Sequence, residues 1–287
     1  MDAVDIWAKF YPEKYRVDAD LIATNTVRCA QYLPEISFVR DDSFAFVKKS
    51  AEKKEHAHVS AIGCLELDTA FEVVDEVRAS LVANGFETWQ FGGDRRHFFP
   101  GCPTDCSTVK AFLEKCGFSV VGDPVYDVER DLVDYEPPCE PHSKARSCRG
   151  SDEEDLRTFF EREFPGRWKD DVMEKFSEDP SHVYGLFLDG ACEGFAMTQL
   201  DGDAVRRAGA VWSADLGPMW GALGPIGVSK SLRGQGLGDA LLSAALCSLR
   251  DQGARRTIID WTVLTAFYGR HGFVPSHEFV TMRGDLL

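Results

Sequence analysis

The stretch from Gly224 to Gly238 constrains this chain more than any other. An apolar run over 222–228 reads as a buried strand. A basic, glycine-rich turn follows, Ser229-Lys230-Ser231-Leu232-Arg233-Gly234-Gln235-Gly236-Leu237-Gly238. Asp239 then opens a long apolar helix through Leu249, which Gly253 ends. A strand that feeds such a turn into a helix commits the chain to an α/β unit. It also makes an anion site, because the first N–H groups of a helix lack intrahelical acceptors and the helix dipole favours negative charge there. The turn has no Gly-Lys-Ser/Thr, so it is not a P-loop. The spacing Arg233-x-x-Gly236-x-Gly238 departs from the dinucleotide fingerprint.

Beyond the helix a second strand is expected over 256–262, followed by Phe267-Tyr268-Gly269-Arg270-His271-Gly272-Phe273. An Arg-x-x-Gly-x-Gly turn after an apolar strand, then a strand, then Phe-Tyr-x-x-x-Gly-Phe resembles the acyl-CoA-binding signature of the GNAT N-acyltransferase superfamily, over roughly 145–287. The resemblance implies a mixed α/β (α+β) fold whose central strands splay into a V-shaped cleft. It implies acetyl-CoA as cosubstrate, with the pantetheine arm paired to Ile226, Gly227 and Val228. The pyrophosphate would lie over the N–H groups of Arg233, Gly234, Gln235, Gly236, Leu237 and Gly238. The Val228 N–H becomes the expected oxyanion donor and Tyr268 the expected general acid, with aromatic packing as its alternative. Asp260 interrupts an otherwise apolar and aromatic strand, Ile258-Ile259-Asp260-Trp261. It either makes a structural hydrogen bond or serves the acceptor amine.

Composition sets outer bounds. The chain has 287 residues, 44% of them hydrophobic, and a net charge of -15. That charge opposes nucleic acid and acidic membranes and tolerates a cationic substrate. No apolar run reaches a membrane span, and the acidic N-terminus lacks the basic region of a signal peptide, so a cytoplasmic protein is expected. Nine cysteines, several in apolar segments, suit free thiols. Cys102 and Cys106 lie close to His97 but lack a fourth ligand at metal-site spacing, so no metal is expected.

Pro137-Pro138-Cys139-Glu140-Pro141 breaks helix and strand alike. The expected organisation is a domain over 1–137, a linker over 138–148 and a catalytic domain over 149–287. The two halves read as distant repeats, hence as tandem GNAT folds, each a mixed sheet flanked by helices. In the first half a strand over 58–65, a helix over 70–84 and a strand from Thr88 parallel the second half. Closing strands are expected over 125–132 and 278–286. Where the second half has its glycine turn, the first has Leu65-Glu66-Leu67-Asp68-Thr69, whose carboxylates repel phosphate; where the second has Tyr268, the first has Leu113. The first half thus reads as a degenerate copy. Its loop His97-Phe98-Phe99-Pro100-Gly101-Cys102-Pro103 packs between the domains or borders the acceptor pocket. It is similar to a loop of tandem GNAT proteins that act on small molecules, glucosamine-type ones included.

The acceptor pocket is expected between the segment 164–168 and the strand carrying Asp260. Ser151 with Glu154 reads as a helix start, and the helix over 155–164 ends at Pro165-Gly166. Phe164 and Trp168 follow as an aromatic turn that packs in the core or stacks on an acceptor. The expected activity is N-acetylation of a small primary amine, with an amino sugar as one candidate, by a monomer or homodimer. A peptide or protein N-acetyltransferase and a non-catalytic acyl-CoA sensor are the alternatives.

Overall fold

The computed structural model describes residues 1–203 and 211–286. Their strands form two sheets. The first runs Phe38–Val39, Ser43–Lys49, His56–Cys64, Thr88–Phe91, Met282–Asp285, Ser119–Val120. The second runs Cys102–Pro103, Val274–Val280, Val125–Asp131, Arg256–Thr262, Trp220–Val228, Ala191–Leu200, Val183–Leu188, Ala145–Ser147.

Each sheet contains one parallel pair joined through a helix. His56–Cys64 pairs Thr88–Phe91 across the helix Leu67–Ala83, and Trp220–Val228 pairs Arg256–Thr262 across the helix Leu237–Asp251. A parallel pair needs such a crossover. The helix Leu237–Asp251 buries Leu241, Leu242, Leu246 and Leu249 along one stripe. Each leucine so buried is worth about 1.5–3 kcal/mol, which fixes the glycine turn at its N-terminus against the sheet.

The closing strands depart from expectation. The segment expected as one strand over 278–286 is two, separated at Thr281: Val274–Val280 lies in the second sheet and Met282–Asp285 in the first. Conversely, Val125–Asp131, from the first half of the chain, sits in the second sheet between Arg256–Thr262 and Val274–Val280. Met282–Asp285 sits between Thr88–Phe91 and Ser119–Val120. The two halves therefore exchange their last strands reciprocally. Residues 138–148, expected as a linker, end in the edge strand Ala145–Ser147.

The largest core also crosses the halves. Phe98 and Phe99 are fully buried; Phe99 stacks on Trp7 and meets Trp212 and Phe279 of the second half. In the first half the parallel pair ends at Val59 and Phe91. There Tyr11, buried at the end of the helix Ala3–Phe10, donates its hydroxyl to the Ile62 carbonyl at 2.7 Å. Among the described residues no helix is long and apolar enough to cross a membrane.

Candidate active site

The second sheet opens where hydrogen bonding between its parallel strands stops. Trp220–Val228 and Arg256–Thr262 pair only as far as Ala222 and Ile258. Beyond that point the register against Ala191–Leu200 shifts at Gly224 and Pro225, a bulge that turns the strand away from its neighbour. Arg256–Thr262 carries its own irregularity at Asp260 and Trp261, and Trp261 adopts a left-handed φ of 46°. Asp127, on the exchanged strand, accepts the Trp261 N–H at 3.0 Å and so holds that bulge. The result is a cleft of about 780 Å³.

One end of this cleft suits an extended, anionic ligand. Ser229 donates its N–H to Glu193 O at 2.9 Å. Because antiparallel pairs alternate, the N–H groups of Val228 and Ile226 then face the gap, on an edge with no partner strand. Gly227 turns its own N–H toward Ala191–Leu200, and its bare Cα lets Phe164 close in: a Cβ there would stand 2.6 Å from the Phe164 ring. Past the strand, the Arg233 N–H is taken by Lys230 O. The N–H groups of Gly234 through Asp239 meet no acceptor among the described residues. Gly234 and Gly236 both hold φ of 78°, and a Cβ on either would point into open space. The donors and the room fit a pyrophosphate. Arg233 is exposed, with its Nε on the Val228 carbonyl at 3.3 Å and its guanidinium over Phe164.

At the other end stand the candidate reacting groups. Tyr268 and Asp260 both border the cleft. The Asp260 Oδ1 faces the opposite strand, 3.7 Å from where a Cβ on Gly224 would be. Burial pushes the Tyr268 phenol well above its usual range, the Asp260 carboxylate adds to this, and a hydrogen bond with Thr262 opposes it. Trp168 is 38% exposed and stacks obliquely on Phe164. It does not sit in a free turn as expected, because Arg167–Glu178 is a helix and Trp168 lies in its first turn. The preceding helix is Glu153–Glu163, whose N-cap is Asp152 rather than Ser151; a capping box of Arg149 with Asp152 closes the 3-10 turn Gly150–Asp152 before it, the Arg149 N–H reaching Asp152 Oδ2 at 2.7 Å. Asp152 is also gripped by Arg146, which explains the choice.

Residues 153–273 match the Acetyltransferase (GNAT) family. That match spans most of the second half. Among solved structures, a GCN5-related glucosamine N-acetyltransferase region of a fungal multi-domain GH3 beta-N-acetylglucosaminidase superposes with a TM-score of 0.82 at 18% identity, over 98% of this chain. This chain spans 36% of that protein's length. A tandem GNAT protein from the clavulanic acid biosynthesis pathway follows at 0.64 and 13%, covering 99% of this chain and 92% of its own. A GCN5-related N-acetyltransferase from Sphaerobacter thermophilus gives 0.62 and 17%, covering 84% and 76%. No curated protein sequence matches. The whole chain has a tandem GNAT fold.

The first half contributes to the GNAT cleft, though not through its aromatic loop tip. Of the loop 97–103, only His97 approaches, its Nε2 3.3 Å from Asp260 Oδ2; Phe98 and Phe99 turn into the core. Arg96 and Glu52 border the cleft instead. Arg95 and Arg96 pair with Asp171 at 3.0 Å and Glu174 at 2.6 Å on the helix that carries Trp168. Arg167 lies over the Trp261 ring at 4.6 Å. No local pattern marks these charged residues. Their approach depends on how the halves meet.

Proposed function

We propose that this protein is an acetyl-CoA-dependent N-acetyltransferase for a small primary amine, with an amino sugar as the first candidate. The observation that carries this reading is the continuity of the cleft. It is bordered by Arg233, which leads into the turn with open N–H donors at Gly234–Gly238, by Ile226 on the unpaired edge, and by Tyr268 and Asp260. A thioester on an extended arm fits such a path, since an exposed strand edge binds an amide-bearing chain as an added strand.

The chemistry then divides among named groups. Asp260 holds the acceptor ammonium and takes its proton, directly or through water. The neutral amine attacks the thioester carbonyl, and the Val228 N–H stabilises the oxyanion. As the tetrahedral species collapses, its nitrogen sheds its second proton to water, Tyr268 gives its proton to the departing thiolate, and the phenolate and Asp260 exchange their protons with solvent to reset the site. A phenol raised by burial suits that task, because it stays protonated across the working pH range.

Two features support a small, hydroxylated acceptor over a peptide. The acceptor end is bordered from both halves, by Arg96 and Glu52 as well as Trp168, which narrows an open groove into a pocket. Trp168 and Phe164 offer aromatic faces to a sugar ring. The fungal glucosamine N-acetyltransferase region, with the same fold, points the same way.

The test is thiol release from acetyl-CoA with glucosamine, aminoglycosides, polyamines, amino acids and short peptides. Turnover of an amino sugar well above the rest is expected. Preference for peptides would move the reading to protein acetylation, and binding of acetyl-CoA without transfer to any amine would make the chain a sensor.

A further inference from the structure

A buried ion pair in the degenerate half lies directly behind the loop that reaches Asp260. Lys48 is fully buried. Its ammonium donates to Asp94 Oδ2 at 2.5 Å, to Arg95 O at 3.0 Å and to Arg96 O at 2.9 Å, while Ser60 Oγ donates to the same Asp94 oxygen at 2.6 Å. Burial alone would raise the Asp94 carboxyl, but Lys48 beside it holds it below its usual range. Breaking such a buried pair is strongly destabilising. The backbone at 94–96 is therefore pinned to the strand Ser43–Lys49. Arg96 takes a left-handed φ of 52°, and Asn25 Nδ2 donates to His97 O at 3.2 Å.

What this anchor delivers is one imidazole. His97 is 1% exposed, with its ring edge against Trp261 at 5.0 Å and its Nε2 3.3 Å from Asp260 Oδ2. That contact lacks the alignment of a hydrogen bond, and the other ring nitrogen, Nδ1, is buried with no partner among the described residues. For packing alone, an apolar side chain would serve better than an imidazole left so incompletely paired.

We propose that His97 is a positioning residue of the acceptor site. It meets one oxygen of Asp260 from behind, so that the carboxylate stays turned into the cleft to receive the amine, and the Lys48–Asp94 anchor sets its place. The degenerate half thereby acts on the acceptor but not on the cosubstrate. This rests on the reading of Asp260 as the group that holds the amine.

The test measures KM for the acceptor, kcat and acetyl-CoA affinity in the full chain, with glucosamine or the fastest amine of the panel above. His97→Phe is expected to raise the acceptor KM roughly 10–100-fold, the loss of one contact to a charged group. Acetyl-CoA affinity should stay within a factor of about two and kcat should change less than KM, the pattern of lost ground-state binding. His97→Gln, which keeps an N–H at similar reach, should recover part of the loss. Lys48→Met combined with Asp94→Asn should reproduce the KM effect from a distance. If loss of acetyl-CoA binding shows that His97→Phe has not folded, His97→Asn, too short to reach Asp260, decides by the same split. An unchanged acceptor KM in the His97 variants, where Asp260→Asn raises it, overturns the role of His97 and leaves Asp260 standing. An unchanged KM in Asp260→Asn overturns the Asp260 reading, and this inference with it.

Discussion

Tyr268 and Asp260 divide the proposed chemistry, and single substitutions separate them. Tyr268→Phe removes one proton and little volume. Turnover should fall about 10²–10⁴-fold, with acetyl-CoA affinity unchanged by calorimetry; unchanged turnover with chemistry rate-limiting would return Tyr268 to packing. Asp260→Asn should weaken cationic acceptors and leave acetyl-CoA binding intact. Beneath the site two buried groups work in opposite directions with pH. Burial holds His277 down to about 4, from an ordinary 6.5. The unfolded chain therefore binds this proton first, and His277 withdraws stability as pH falls from 6.5 toward 4. Asp127 is raised well above its usual value by burial and by neighbouring Asp260, so its stabilising contribution is lost as pH rises. Between pH 4 and 6.5, His277→Gln should flatten the rise of Tm with pH and Asp127→Asn should steepen it. Thermal denaturation of the two variants across that window checks both signs.

At the scale of the element, the glycine turn carries the prediction for the cosubstrate. Gly236 holds φ of 78° beside open space. A glutamate there meets backbone strain and places a carboxylate where the free N–H groups point. Acetyl-CoA affinity should collapse in Gly236→Glu, while substitutions over 65–69 should do little, and calorimetry should find one acetyl-CoA per chain. This element was legible because its signals are local: the apolar run, the turn glycines and the leucine stripe lie within thirty residues of one another. The strand Arg256–Thr262 falls where the sequence places it. The start of the helix Glu153–Glu163 does not, because Asp152 is claimed by Arg146, and one side chain outweighed a good capping pattern. The sequence offers the loop 97–103 as a border of the acceptor pocket, but not that His97 rather than its phenylalanines reaches Asp260, 163 positions away.

The exchanged strands belong to the whole molecule, and sequence hid them for the same reason. Alternation says that Val125–Asp131 is a strand, but not which sheet takes it; that choice lies in pairing across more than a hundred residues. Removal of residues 1–137 would strip Val125–Asp131 from between Arg256–Thr262 and Val274–Val280, exposing two bare edges. Residues 138–287 expressed alone should aggregate and fail to bind acetyl-CoA, and coexpression with 1–137 should restore binding. A soluble, acetyl-CoA-binding fragment would show the exchange to be dispensable.

The exchange also bears on how such a chain can change over generations. A duplicated domain whose copy has gone silent is ordinarily free to be deleted. Deletion of the first half would take with it a strand the second half needs, so on the reading of the first half as a degenerate copy, that copy can lose its chemistry but not its presence. Its surface and its loops are left open to new uses for as long as the clasp holds.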